Sequence, residues 1–195
     1  MTNNCLAVFF KVPQLGRVKT RLAQKIGEEM ALEIYQEMLD ETFRKVASLE
    51  AIEIIGFYDG EIDTTYCPFK KLYEQKGKEL GERLIGAFEQ LFKDGFEKVC
   101  IIGADSPTLP IQFIYDAFNL LERSRMVIGP TIDGGYYLIG LNSQTPEIFK
   151  NILWGSEKVF QQTMEIANNL KLAYQILPEW YDIDDISALE QMGQS

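Results

Sequence analysis

A chain of 195 residues with 19 basic and 29 acidic side chains has a formal charge of -10, and it contains no histidine. The acidic balance argues against general nucleic-acid binding, which draws on a basic face with many phosphate contacts. Without imidazole there is no histidine triad, no histidine metal site and no common proton shuttle near neutral pH. Any catalysis rests on carboxylates, lysine, arginine, tyrosine, backbone amides or an oxygen-ligated ion such as Mg2+ or Mn2+.

The length suits one domain over residues 1–195, and 46% apolar with 25% charged residues is ordinary for a globular core. Neither an eighteen-residue apolar run nor a signal-peptide pattern appears, so a soluble cytoplasmic protein is expected. Cys5, Cys67 and Cys100 are odd in number and far apart, which supports neither a disulfide framework nor a cysteine zinc site. Cys5 and Cys100 are expected to pack inside strands.

Apolar continuity predicts a buried strand over Cys5–Lys11 and helical spacing a helix over Glu28–Val46, with Met30, Ile34, Met38 and Leu39 on its buried face. A strand over Ile52–Tyr58 and a weaker one over Lys70–Tyr73 follow. A helix over Leu80–Phe92 stops at Asp94 and Gly95 before a strand over Lys98–Ile102. Next come a helix over Leu109–Leu121, two strands, Met126–Gly129 and Tyr136–Leu141, joined by Pro130–Gly135, and a helix over Glu157–Asn168 capped by Ser156. A late strand over Leu172–Leu177 and a short helix over Ile186–Met192 complete the chain. Strands alternating with helices imply a three-layer α/β/α sandwich around a mostly parallel sheet, with a ligand crevice beyond the carboxyl ends of the strands.

The densest chemistry is the loop after the first strand, where Lys11, Arg17, Lys19 and Arg21 put four cations in eleven residues around Gly16. Such a concentration at a strand-to-helix turn suits a polyphosphate; solvated surface cations are the alternative. Asp105 follows the most apolar strand, where it can hold a metal or ribose or, alternatively, cap the next helix. Asp182 and Asp184 alternate with Ile183, so in extended chain their carboxylates share one side and invite a cation, or form a solvated acidic turn. Asp133, Gly134 and Gly135 read as hairpin chemistry or as a place where a ligand approaches bare backbone, with Tyr136 and Tyr137 adding bonding and stacking surface. Gln75, Gly77 and Arg83 form a further Gly-rich passage into a helix that either meets a nucleotide or is a plain surface loop.

Four motifs, KxPxxGxVKTRL at 11–22, GADSP at 103–107, GPTIDGGYYLIGL at 129–141 and DID at 182–184, together resemble a bacterial family of glycosyltransferases with the GT-A fold. That architecture also serves guanylyltransferases acting on molybdopterin or phospholactate. The resemblance implies a nucleotide-diphospho-sugar transferase core in which Lys19 and Arg21 face phosphates and Asp105 with Asp184 holds Mg2+ or Mn2+. It places the acceptor at Asp133 to Tyr137, with Asp133 as a candidate base. Two departures are visible: the first loop lacks a Gly-rich run, and residues 103–105 keep one carboxylate of the Asp-x-Asp signature. The expected function is transfer from a nucleotide sugar to a small-molecule acceptor. The alternatives are nucleotidyl transfer from an NTP and a catalytically idle nucleotide-binding module.

Overall fold

The computed structural model describes residues 3–61, 69–104 and 106–181. Seven strands form one sheet in the order β3-β2-β1-β4-β6-β5-β7: β1 Asn4–Lys11, β2 Glu53–Asp59, β3 Leu72–Glu74, β4 Lys98–Gly103, β5 Met126–Pro130, β6 Tyr136–Leu141 and β7 Tyr174–Ile176. β1 pairs in parallel with β2 and β4, β2 with β3, and β5 with β7. β6 runs antiparallel to both its neighbours, β4 and β5. The sheet is mixed and mostly parallel, as expected.

Alternation along β1 makes the layers. Leu6, Val8 and Phe10 join one core with α2 (Glu28–Ala47) and α4 (Ile111–Leu120). Cys5, Ala7 and Phe9 join the other with α3 (Leu80–Lys93), α5 (Val159–Asn169) and a 3-10 turn at Pro146–Phe149. Side chains of period two on a strand covered on both faces must be apolar throughout, which is why β1 reads as a continuous run.

Several expectations change. Met30 is 51% exposed; the buried face of α2 is Ala31, Tyr35, Met38, Leu39, Thr42, Phe43 and Val46, one position round the helix. A short helix α1, Thr20–Ile26, precedes α2 and buries only Leu22, so it carries no apolar periodicity to detect. α5 begins at Val159, and Ser156 accepts the Lys158 N–H in the turn before it. α4 follows Pro110 at its N-cap position, without a capping hydroxyl. The helix expected over Ile186–Met192 lies outside the described residues.

The β5–β6 hairpin is tight. A methyl group added at Gly129 would lie 2.2 Å from Cζ of Tyr137. Gly129→Ala is therefore expected to lower the urea midpoint by a stability loss of about 1–3 kcal/mol, because overpacking displaces a buried ring. An unchanged midpoint would mean that Tyr137 has room to shift.

Candidate active site

Where β1 and β4 part, the sheet opens. The last β4 pairing sets Gly103 opposite Phe9, and Ala104 N–H donates to Phe9 O at 3.0 Å. β1 runs on to Lys11, whose N–H and C=O have no strand partner on that side. Tyr35 of α2 supplies one: its hydroxyl accepts the Lys11 N–H (2.9 Å) and donates to Lys11 O (3.1 Å), using both capacities of a hydroxyl.

The same helix reaches the β4–α4 loop. Thr42 Oγ1 donates to Ala104 O at 3.5 Å, and Lys45 Nζ donates to Pro107 O and, at 3.1 Å, to Leu109 O. Burial holds the Lys45 pKa below its usual value, against a smaller opposing effect of Glu41. One face of α2 thus sets the distance between the loop after β1 and the loop after β4.

A cleft of about 530 Å³ opens between those loops, at the carboxyl ends of β1 and β4 and the start of β6. It is lined by Lys11, Lys19 and Arg21 from the first loop and by Lys78 and Arg83 at the entrance to α3. Thr20, Tyr35, Gln75, Ser106, Tyr136 and Tyr137 add uncharged polar groups, and no carboxylate is among the described lining residues. Lys19 takes a left-handed backbone (φ 44°) just before α1, which turns Lys19, Thr20 and Arg21 together into the cleft.

Not every expected residue arrives there in the same way. Arg17 is exposed on the turn closed by its own N–H to Gln14 O at 3.0 Å, away from the lining. Gln75 lines the cleft but stitches strand ends, donating from Nε2 to Phe10 O (3.1 Å) and Phe57 O (2.9 Å). Arg83 pairs with Asp59 at 2.8 Å and donates to Gly77 O at 3.1 Å. Gly77 is approached by Glu82 and Arg83 at the start of α3, which explains the glycine without a ligand. Lys78, unremarked in the sequence, adds a cation to the same passage.

The Asp133 turn is also accounted for locally. Asp133 Oδ1 accepts from Thr131 Oγ1 (2.5 Å) and Gly135 N–H (3.2 Å), and Asp133, Gly134 and Gly135 do not line the cleft. Gly134 has φ 87°, and a methyl there would lie 2.0 Å from Glu157 O. The close approach that two glycines allow is that of this chain's own backbone, fixed by Phe160 N–H donating to Gly134 O at 2.8 Å.

Both tyrosines do reach the cleft. Tyr137 donates its hydroxyl to Pro178 O at 3.0 Å. The Tyr136 hydroxyl and Trp154 Nε1 are buried without a partner among the described residues. Burial pushes both phenols above their usual pKa, with Asp116 adding to the effect at Tyr137, so both stay protonated near neutral pH. Burial likewise raises the Cys5 and Cys100 thiols, which removes them as thiolate nucleophiles. Asp105, Asp182 and Asp184 lie outside the described residues.

A family model described as "Uncharacterized protein conserved in bacteria (DUF2064)" matches residues 37–156. The chain belongs to that family. This DUF2064 chain is 33% identical to a protein of Desulfovibrio desulfuricans G20 provisionally described as a nucleotide-diphospho-sugar transferase. Their structures superpose with a TM-score of 0.92 over 98% of this chain and 87% of the other. It is 26% identical over 197 residues to the 2-phospho-L-lactate guanylyltransferase of Methanocaldococcus vulcanius, covering 97% of this chain and 83% of that one. A molybdopterin-guanine dinucleotide biosynthesis protein A from Archaeoglobus fulgidus shares the fold, with a TM-score of 0.61 at 13% identity over 97% of each chain. The architecture is that of nucleotide-diphospho-sugar transferases and nucleotidyltransferases.

The Tyr35 contact yields a direct test. Tyr35→Phe leaves two backbone groups of Lys11 unpaired at the cleft rim, and the expected result is a loss of about 1–3 kcal/mol in urea denaturation. Amide exchange at Lys11 should quicken selectively; unchanged exchange would contradict the assigned role.

Proposed function

We propose that this protein is a nucleotidyltransferase: it binds a nucleoside triphosphate in the cleft and transfers the nucleotidyl group to a small acceptor, releasing pyrophosphate. The observation that carries this reading is a cleft in a chain of charge -10 whose described lining has five cations and no carboxylate. The similarity over nearly the whole chain to a guanylyltransferase favours nucleotidyl transfer over the sugar transfer first expected. Sugar transfer remains the second reading, supported by the description of the Desulfovibrio relative.

In this reading an acceptor oxygen attacks the α-phosphorus, the bond to the bridging oxygen breaks, and pyrophosphate leaves. Lys11, Lys19, Arg21 and Lys78 neutralise the phosphate oxygens as charge moves onto the leaving group. Arg83, already shared with Asp59 and Gly77 O, acts as a positioned donor rather than as a free charge. Tyr136 and Tyr137, whose rings line the cleft as Ser106 does, would form the wall on the acceptor side.

No three acidic or thiol side chains come together as an ion site among the described residues. The hard oxygens of Asp105 and Asp184, which lie outside the described residues, suit Mg2+ or Mn2+. These two aspartates would hold the ion, which supplies charge neutralisation on the phosphates when bound.

The test is product analysis. The purified chain is given GTP or CTP, or in parallel a nucleotide sugar, with Mn2+ and a panel of phosphate- and hydroxyl-bearing acceptors. Pyrophosphate released in step with a nucleotidylated acceptor is the expected result. Nucleoside diphosphate released from the sugar donor, with no pyrophosphate from either triphosphate, would replace this reading with sugar transfer.

A further inference from the structure

Trp180 joins the β5–β6 turn, the β4–α4 loop and α4. Its N–H donates to Pro130 O at 3.0 Å and its carbonyl accepts the Ile132 N–H at 3.1 Å. These bonds carry the parallel pairing of β7 with β5 onward to a bridge between Thr131 and Trp180. The indole Nε1 donates to Thr108 Oγ1, at 3.4 Å, in the β4–α4 loop. The ring meets Phe113 edge-on at 5.6 Å and stacks on Tyr181 at 5.1 Å, while Phe113 stacks on Tyr137 at 6.2 Å.

Two features separate this arrangement from ordinary core packing. Trp180 is half-buried, and its side-chain hydrogen bond goes to a loop rather than to a strand. Its partners adjoin the wall of the cleft: Thr108 lies two residues after Ser106 and Phe113 stacks on Tyr137, and Ser106 and Tyr137 are both lining residues. An indole combines a large rigid area with one donor, so a single side chain can pack against one segment while bonding another.

We propose that Trp180 is a positioning residue for the part of the cleft formed by Ser106, Tyr136 and Tyr137, holding the β4–α4 loop and the β5–β6 turn in one arrangement. The proposal rests on the nucleotidyltransferase reading in that this part would receive the acceptor, whereas the cationic loop and the entrance to α3 receive the nucleotide. Loosening Trp180 then affects chemistry more than nucleotide binding, because misplacement of a reacting group by a fraction of an ångström lowers rate without removing phosphate contacts.

The experiment uses the full chain with Trp180→Leu, and with Thr108→Val as a milder change that removes only the acceptor hydroxyl. Amide hydrogen exchange of the free proteins should quicken over residues 106–113 and 131–135 and stay unchanged over 4–11 and 84–91. Uniform quickening across the sheet, or none anywhere, would overturn the proposal. With a donor and acceptor that the parent turns over, kcat should fall about tenfold while KM for GTP stays within about twofold; an unchanged kcat in a folded Trp180→Leu protein would also overturn it. A parent with no affinity for GTP or CTP would instead remove the nucleotidyltransferase reading, and the exchange pattern would still decide whether Trp180 positions these segments.

Discussion

The separation of β1 from β4 at their carboxyl ends is the constraint on which the site depends. Two strands paired to Phe9 and Gly103 cannot simply diverge, because each backbone group left behind in a buried edge needs a partner. Tyr35 fills that need for Lys11, and Thr42 and Lys45 from the same helix hold Ala104, Pro107 and Leu109. The opening is thus a braced gap between two loops. One loop carries the cations and the other leads through Ser106 to α4.

Electrostatics follow from that geometry. A chain of charge -10 repels an anion at long range, but at physiological salt the repulsion is screened beyond about 8 Å. Within that distance a phosphate in the cleft would meet Lys11, Lys19, Arg21 and Lys78 and no described carboxylate in the lining. Local charge, rather than the net value, would govern binding there. The acidic remainder of the surface disfavours extended polyanions, which would have to lie against it as well.

Much of the fold was legible because it rests on periodicity. β1, β2, β4 and the β5–β6 pair are apolar runs bounded by turn residues, and α2, α3 and α4 have apolar spacing sustained over ten residues or more. What stayed hidden lacks that signal: α1 has one buried residue, and the 3-10 turn at Pro146–Phe149 is four residues long. For the site, charge density drew attention to Lys11, Lys19 and Arg21, and all three line the cleft. Composition could not distinguish a glycine that admits a ligand from one that admits backbone, and Gly77 and Gly134 are of the second kind. Nor could it show that Tyr35, Lys45 and Trp180 act through partners 24, 64 and 72 positions away in the chain.

In the nucleotidyltransferase reading, the cations would hold an anionic leaving group and the wall with Ser106 and the two tyrosines would place the incoming oxygen, the two needs of a group transfer. The most direct measurement of the central claim is calorimetric titration of GTP and CTP into the parent chain and into a Lys19→Ala, Arg21→Ala double variant. Loss of two charge-assisted contacts should weaken binding of whichever nucleotide the parent takes by about 100-fold, with the fold intact by circular dichroism. Equal affinity in the parent and the double variant would contradict the account.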